Sequence, residues 1–156
     1  MVYSLTKKQL SPQPALVVRR RVERSGIANA IGEALGRVGQ YVQQHGIGIA
    51  GPPFARYPEM EGGLFTIDIG MPVAAQPGTP ADPEIRVDHL PGGSAAVTTH
   101  MGPYDKLPEA FTAIQQWITA NGLKATSAPW ESYITDPADY PDPKDWKTEV
   151  FCPVNG

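Results

Sequence analysis

An internal repeat at an offset of 76 residues limits the folds that this chain of 156 residues can adopt. Residues 46–57 carry a glycine, an apolar residue, a proline and a tyrosine at the same relative positions as residues 122–133. Before each glycine, apolar residues recur at spacings of 4, 3 and 4, which is typical of one face of an amphipathic helix. This stripe comprises Ile31, Leu35, Val38 and Val42 in the first copy and Leu107, Phe111, Ile114 and Ile118 in the second. The sequence therefore predicts two similar halves, each built around one helix.

Strands are predicted on both sides of each helix, so that each half reads as strand, helix, strand, strand. The first half, about 14–73, contains a strand at 15–22, a helix at 27–45 and strands at 52–58 and 64–73. The second half, about 84–154, contains a strand at 94–101, a helix at 103–121 and strands at 129–134 and 146–153. An additional strand at 84–90 precedes them. A proline- and glycine-rich linker, 74–83, joins the halves. The predicted fold class is α+β. It consists of a pseudo-twofold repeat of two β-α-β-β units in a single domain of residues 1–156, with an antiparallel sheet and both helices on one face.

Local signals refine the two predicted helices. Ser25 is a candidate N-cap of the first helix. Pro103 is placed at the first position of the second helix, where proline is favoured because its missing N–H would have no partner there. Three glycines inside the first helix, Gly32, Gly36 and Gly39, should each cost about 1 kcal/mol relative to alanine. We therefore expect them to allow a close approach between this helix and a neighbouring element.

Composition and charge exclude several functions. A net charge of −3 and a pI near 5.5 provide no positive field for nucleic acid, and the short arginine run at 19–21 is interpreted as a solvated strand edge, so no direct DNA binding is expected. No apolar segment approaches the roughly 20 residues that span a bilayer, and residues 1–10 lack the apolar centre of a secretory signal. We therefore expect no membrane association and a cytoplasmic location. One cysteine and three histidines without paired spacing predict no metal site and no cofactor.

The strand at 129–134 carries a carboxylate among large aromatic residues. Because successive side chains of a strand point to opposite faces, Glu131 and Tyr133 share one face and Trp130 lies on the other. Glu131 on an outer face would be an ordinary solvated charge. Its counterpart in the first half is Ala55, whereas Tyr133 is matched by Tyr57. An acid kept in only one of two similar halves is explained more easily by a ligand than by folding.

Several short segments, taken in order and spacing, resemble the GyrI-like small-molecule-binding domain family, which also supplies the effector-binding domains of AraC-type and MerR-type multidrug regulators. These segments are 100–104 (His-Met-Gly-Pro-Tyr), 116–118 (Gln-Trp-Ile), 121–123 (Asn-Gly-Leu), 130–133 (Trp-Glu-Ser-Tyr), 136–137 (Asp-Pro) and 148–154 (Thr-Glu-Val-Phe-Cys-Pro-Val). The resemblance covers nearly the whole chain. It implies a pseudo-symmetric pair of strand-helix-strand-strand units, with the acid at Glu131 at the base of an aromatic pocket. The residues before the first predicted strand are too few for a helix-turn-helix domain, so a stand-alone member is expected.

The inferred pocket is an apolar cleft with few polar groups. Tyr133 and Tyr57 are expected in its lining because of their strand positions, and the resemblance implies that Glu131 lies at its base. The weaker candidates, which fit the protein core equally well, are Trp146, Tyr104, Phe54 and Met71. Aromatic faces attract cations with about 0.5 to 2 kcal/mol per contact, and a partly buried carboxylate adds an opposite charge. In the absence of ligand, burial is expected to raise the pKa of Glu131. His100 is interpreted as a hydrogen-bonded strand histidine rather than as a catalytic base.

Three functions remain open at this point. The leading one is a small-molecule-binding module that captures lipophilic, often cationic aromatic compounds and does not act as an enzyme. The second, suggested by the resemblance, is a hydrolase of reactive cyclopropane-containing natural products, with Glu131 and Tyr133 as the catalytic pair. The third is a protein-interaction role like that of the gyrase inhibitor which gives the family its name. A protein partner or a homodimer is compatible with each of them. Haem binding is less favoured because no histidine lies at a clear axial position.

Overall fold

The structure is a computed structural model, which describes residues 3–75 and 77–156. The described residues form eight strands and two longer helices, with short 3-10 turns at residues 24–26, 104–106 and 143–145. The elements are β1 (Thr6–Leu10), β2 (Gln13–Glu23), α1 (Ile27–Gln44), β3 (Phe54–Glu61), β4 (Leu64–Pro72), β5 (Ile85–Leu90), β6 (Gly93–Met101), α2 (Leu107–Ala120), β7 (Trp130–Tyr133) and β8 (Lys147–Pro153). All the described strand pairs are antiparallel. The predicted α+β class is confirmed.

The chain divides into two compact units, which are named here after their helices. The α1 unit is Pro12–Pro91, and its strands are ordered β3-β4-β2-β5. Helix α1 packs on β2 and β4 and buries Ala30, Ala34, Val38 and Val42. The sheet contributes fully buried side chains such as Ile67 and Ile69. Burial of one apolar stripe against a sheet gives this unit its own core.

The α2 unit consists of the residues up to Ser11 together with Gly92–Gly156, and its strands are ordered β1-β6-β8-β7. Helix α2 packs on β6 and β8. Its core contains Ala96, Leu107, Ala110, Ile114, Ile118, Val150, Cys152 and Val154. Burial raises the pKa of the Cys152 thiol, which keeps this side chain in its neutral, unreactive form. The strand-helix-strand-strand order predicted for each half is thus present within each unit, and the pseudo-twofold relation remains a prediction.

Two strands lie beside the predicted β-α-β-β elements. β1 was missed because four of its five side chains are exposed and its sequence, Thr-Lys-Lys-Gln-Leu, has no apolar alternation. It is a polar edge strand that pairs with β6 alone among the described pairings. β5 pairs with β2 and therefore belongs to the α1 unit. The half boundaries drawn from the sequence, 14–73 and 84–154, remain predictions.

The observed ends of the two helices differ in part from the ends predicted from the sequence. The N-cap of α1 is Gly26, and no side chain caps this end, because Ser25 lies inside the preceding 3-10 turn; the Ser25 prediction is wrong. Pro103 likewise precedes a 3-10 turn and not α2 itself, which begins at Leu107. At the other end of α1, Gly46 has a φ of 63° and Ile47 N–H donates to the Val42 carbonyl at 2.9 Å. This arrangement is a Schellman C-cap.

The glycines inside α1 have different environments. A Cβ added at Gly39 would lie 3.4 Å from the Cε of Met71, so close approach explains this position. Gly32 and Gly36 have open space where a Cβ would be. The expectation of close approach is therefore wrong for these two residues, and nothing in the structure explains them.

The predicted linker at 74–83 contains no regular secondary structure among its described residues. Gln76 lies outside the described residues. Arg37 of α1 binds Asp82 through its Nε at 3.0 Å, which ties this segment to the helix.

In the described part of the chain, no helix combines the length and the apolar character that a bilayer crossing requires.

Candidate functional site

Strand β7 directs Glu131 and Tyr133 to the face of its sheet that α2 covers. Glu131 pairs with Val150 of β8, and Tyr133 pairs with Thr148. Directly opposed residues of antiparallel strands point to the same face, and Val150 belongs to the core beneath α2. Trp130 points to the opposite face, where its ring stacks on Phe151 with centroids 5.0 Å apart. The alternation read from the sequence thus describes this strand correctly.

Glu131 and Tyr133 form a buried pair. The Tyr133 hydroxyl donates to Oε2 of Glu131 at 2.6 Å, which is short for an O–H···O contact and typical of a charge-assisted hydrogen bond. Only 4% of Glu131 and 9% of Tyr133 is exposed. The alternative of a solvated Glu131 is therefore excluded. A buried carboxylate is costly unless hydrogen bonds or an opposite charge compensate it, and Tyr133 supplies one hydrogen bond without adding charge.

Two further aromatic rings, Tyr104 and Trp146, lie at the Tyr133 end of this pair, and the three rings together are called the aromatic cluster. The Tyr104 ring lies edge-on to Tyr133 with centroids 5.6 Å apart and 4.8 Å from the Trp146 ring. Trp146 is itself fixed, since its Nε1–H donates to the Tyr140 carbonyl at 2.7 Å. Tyr104 and Trp146 are partly exposed. They therefore form the outer part of the cluster, with Tyr133 and Glu131 behind them.

Two carboxylates lie close enough to Tyr104 to affect the pKa of its phenol. Burial raises the pKa of the Tyr104 phenol, and the nearby carboxylates of Asp136 and Glu131 raise it further. Asp136 lies in the loop that follows β7, and its Oδ1 accepts from the Ala138 N–H at 2.9 Å. From the sequence, Asp136 is noted only within the family resemblance, and its effect on Tyr104 is not predicted. A cation placed among these groups would lie opposite two negative charges.

A pH prediction follows from the raised pKa of Tyr104. A phenol whose pKa is higher in the folded than in the unfolded protein favours folding below the ordinary tyrosine value of about 10, and this contribution is lost as the pH rises through the folded-state pKa. We expect Tyr104→Phe to lose less free energy of unfolding than the wild type between pH 9 and 11, in urea titrations at each pH. An identical decline in both proteins would contradict a raised pKa for Tyr104.

The other candidates from the sequence lie in the α1 unit. Phe54 is fully buried in β3, and Met71 is partly buried in β4, with its methyl group toward Gly39 of α1. Tyr57 is partly buried and lies where the β3–β4 register shifts between Arg56 and Glu59, so simple alternation does not decide which face it shares. The roles of these three residues in ligand binding remain predictions.

His100 has the structural environment that the sequence analysis favoured. Its ring is completely buried, and both nitrogens lie within hydrogen-bond distance of a partner, Tyr3 Oη at 2.9 Å and the Pro103 carbonyl at 3.0 Å. The interpretation as a hydrogen-bonded strand histidine is confirmed. Among the described residues, no group of three or more histidine, cysteine or acidic side chains could hold a metal ion.

Thr148 is a second residue that the sequence analysis did not select. It is fully buried on β8, between His100 of β6 and Tyr133 of β7 in the register. Its Oγ1 has no hydrogen-bond partner among the described residues and no contact with solvent. Alternation of inward-facing residues along β8, with Val150 and Cys152, was the available signal. A buried hydroxyl without a partner carries a desolvation cost of about 1 to 3 kcal/mol.

Replacement of Thr148 by valine should therefore stabilise the protein. We expect Thr148→Val to raise the free energy of unfolding by about 1 kcal/mol, because the shape is kept and the unpaired hydroxyl is removed. The matched control is Thr98→Val, since Thr98 Oγ1 donates to the Ser4 carbonyl at 2.8 Å; its loss should lower stability by a similar amount. Urea denaturation of both variants measures the difference, and a loss of stability in both would contradict the unpaired state of Thr148.

Comparison with known proteins gives the family. The profile of the GyrI-like small-molecule-binding domain matches residues 4–155. The chain belongs to this family. Its site therefore lies in a domain type that binds small molecules, as the resemblance implied. A comparison with curated proteins found no significant match.

Solved structures show the same fold. The crystal structure of the EcmrR C-terminal domain is 25% identical, with a TM-score of 0.86 and 99% of each chain covered. In the cryo-EM structure of an EcmrR–DNA complex the identity is again 25% and the TM-score is 0.84, and the match covers 98% of this chain and 57% of that one. The chain thus spans little more than half of that EcmrR chain. SAV2435, solved bound to tetraphenylphosphonium, is 16% identical with a TM-score of 0.63, over 100% of this chain and 95% of that one.

Proposed function

We propose that this domain captures lipophilic aromatic cations, and that Glu131 with the aromatic cluster forms the cation-binding centre. The observation that carries the proposal is the Glu131–Tyr133 hydrogen bond of 2.6 Å beneath Tyr104 and Trp146. A carboxylate held in place by a neutral phenol keeps its charge available for a cation. The position of Glu131 behind the rings means that a ligand would reach it along aromatic faces.

The chemistry of this centre favours delocalised cations over small hydrated ones. Each ring face contributes about 0.5 to 2 kcal/mol to a cation, and the Coulomb attraction of a carboxylate increases in a site from which water is excluded. A lysine-like ammonium would lose a strongly bound hydration shell on binding. A tetra-aryl cation loses little hydration and gains apolar contact, since burial of apolar surface contributes roughly 25 cal/mol per Å².

One structural neighbour supports this ligand class. SAV2435 has been solved with tetraphenylphosphonium, and EcmrR has been solved on DNA with a C-terminal domain of the same fold. A role in regulation would require a DNA-binding partner or domain in addition to the small-molecule site.

A titration tests the proposal. Tetraphenylphosphonium and the neutral triphenylphosphine oxide are each added to the protein, and tryptophan fluorescence is followed, with Trp146→Phe as the control that identifies the reporting ring. We expect saturable binding of the cation with at least tenfold higher affinity than the neutral compound, and loss of most of the signal in the control. Equal affinities for both compounds would reject the cation-binding centre.

A second candidate function is hydrolysis at the same pair. The 2.6 Å contact places a proton donor beside a potential base. Glu131 would accept a proton from water as the water oxygen bonds to a cyclopropane carbon; the ring C–C bond would break, and its electron pair would take up the hydroxyl proton of Tyr133, which Glu131 then replaces with the proton taken from water. A hydrolase structure from Listeria innocua shares the fold at 14% identity with a TM-score of 0.64. Incubation with an electrophilic cyclopropane natural product, followed by mass spectrometry, should show a gain of one water that Glu131→Gln abolishes; recovery of intact compound would reject hydrolysis.

A further inference from the structure

His100 links the aromatic cluster to the N-terminal segment through two hydrogen bonds. Its Nε2 lies 3.0 Å from the Pro103 carbonyl oxygen, and its Nδ1 lies 2.9 Å from the Tyr3 hydroxyl oxygen. A carbonyl oxygen can only accept, so Nε2 carries the hydrogen, and in the neutral ring Nδ1 must then accept from Tyr3. The two contacts therefore specify one tautomer.

The Pro103 carbonyl belongs to the turn that presents Tyr104. Pro103 is the residue before the 3-10 turn of Tyr104–Lys106, and its neighbour Gly102 donates its N–H to the Trp146 carbonyl at 2.9 Å. Gly102 has a φ of 126°, in the region that favours glycine. The turn is thus held from one side by His100 and from the other by Trp146, whose ring lies 4.8 Å from that of Tyr104.

The N-terminal segment, represented by Tyr3 and Ser4, is fixed to β6, the strand that carries His100. The Tyr3 ring stacks on His100 with centroids 6.0 Å apart, and the Ser4 carbonyl accepts from Thr98 Oγ1 at 2.8 Å. Tyr3 also packs against the core beneath α2. Burial, with a smaller effect of Glu109, raises the pKa of the Tyr3 phenol, so it remains a hydrogen-bond donor at neutral pH.

We propose that His100 is a positioning residue of the ligand site, which holds Tyr104 against Trp146 and Tyr133 through the Pro103 carbonyl, in a tautomer set by Tyr3. The inference rests on the proposed function, since it assigns His100 to the aromatic cluster of that site. It makes ligand affinity depend on a hydrogen-bond chain that begins in the N-terminal segment, whereas neither His100 nor Tyr3 contacts the ligand.

A double-mutant cycle separates positioning from a general structural role. His100→Leu removes both hydrogen bonds, Tyr3→Phe removes one while it keeps the stacked ring, and His100→Gln keeps an amide N–H that can reach the Pro103 carbonyl. Tetraphenylphosphonium affinity and the free energy of unfolding are measured for each, alone and combined with Tyr104→Ala. Near-UV circular dichroism in the tryptophan band, to which the Tyr104–Trp146 ring contact contributes without any ligand, is recorded in parallel.

We expect His100→Leu to weaken tetraphenylphosphonium binding about tenfold and Tyr3→Phe about threefold, with partial recovery in His100→Gln. In the Tyr104→Ala background, none of these substitutions should change the affinity or the tryptophan band of the near-UV spectrum further, although the losses of stability should persist. Additive losses of affinity in that background would overturn the proposal. Should the wild type not bind the cation at all, the proposed function fails, and the near-UV spectra alone decide whether His100 positions Tyr104. If His100→Leu does not fold, Tyr3→Phe provides the test.

Discussion

Glu131→Gln should weaken binding of tetraphenylphosphonium by about 100-fold and leave the affinity for triphenylphosphine oxide within about threefold of the wild type. Glutamine retains the size of the side chain and an oxygen that can accept from Tyr133, so the substitution removes the charge and little else. A loss of 100-fold corresponds to about 2.7 kcal/mol, within the range measured when one partner of a buried charge pair is removed. Isothermal titration calorimetry at low salt measures both ligands.

Tyr133→Phe is the matched control for this prediction. It removes the hydroxyl that donates to Glu131 and keeps the ring, so the carboxylate charge remains. We expect a loss of affinity for the cation well below that of Glu131→Gln. An equal loss in both variants, or an equal loss for the cation and the neutral compound in Glu131→Gln, would show that the charge of Glu131 does not select the ligand.

Gly70→Ala should lower the free energy of unfolding by about 3 kcal/mol or more. A Cβ at this position of β4 would lie 1.9 Å from the carbonyl oxygen and 2.8 Å from the carbonyl carbon of Leu16. The obstacle is backbone, which cannot move without disturbing the β2–β4 ladder, and overpacking of this kind is strongly destabilising. Urea denaturation, or failure to obtain folded protein, reports the effect.

The control for this prediction is a glycine in open space. Gly36 lies on α1 with no atom within 4 Å of an added Cβ, so Gly36→Ala should raise stability by up to about 1 kcal/mol through helix propensity. The two substitutions add the same methyl group. If Gly70→Ala were as stable as the wild type, the close approach of β4 and β2 would be refuted.

Most of the fold could be predicted from the sequence, because the apolar residues of the repeat and of the helical stripes mark the side chains that become buried. The stripes mark the correct faces, although their centres are occupied by small residues. Ala34 and Ala110 are repeat counterparts and both are fully buried, whereas Leu35 and Phe111 are only partly buried. Alanine carries a weak hydrophobic signal, so sequence analysis identifies the large flanking residues first. β1 was missed because a polar edge strand pairs through its backbone alone and buries no apolar side chains that a sequence pattern could reveal.

The candidate site was accessible only in part. Alternation along β7 is a local property, and it placed Glu131 and Tyr133 on one face correctly. The contacts that complete the aromatic cluster are not local. The Gly102 N–H donates to the Trp146 carbonyl, and the Asp136 carboxylate raises the pKa of Tyr104. In both cases the two residues are far apart in the sequence. Such contacts depend on how loops close over the sheet, which no periodicity reports. Whether Tyr57, Phe54 and Met71 complete the pocket remains a prediction for the same reason.

The most direct test of the cation-binding centre is a crystal structure of the protein with tetraphenylarsonium, whose arsenic atom is located by its anomalous scattering. The proposal predicts an arsenic peak beside the Glu131 carboxylate, with the aryl groups against Tyr104, Tyr133 and Trp146, and ring centroids within about 6 Å of the cation's nearest atoms. A peak elsewhere on the molecule, with the aromatic cluster and Glu131 in their ligand-free arrangement, would contradict it.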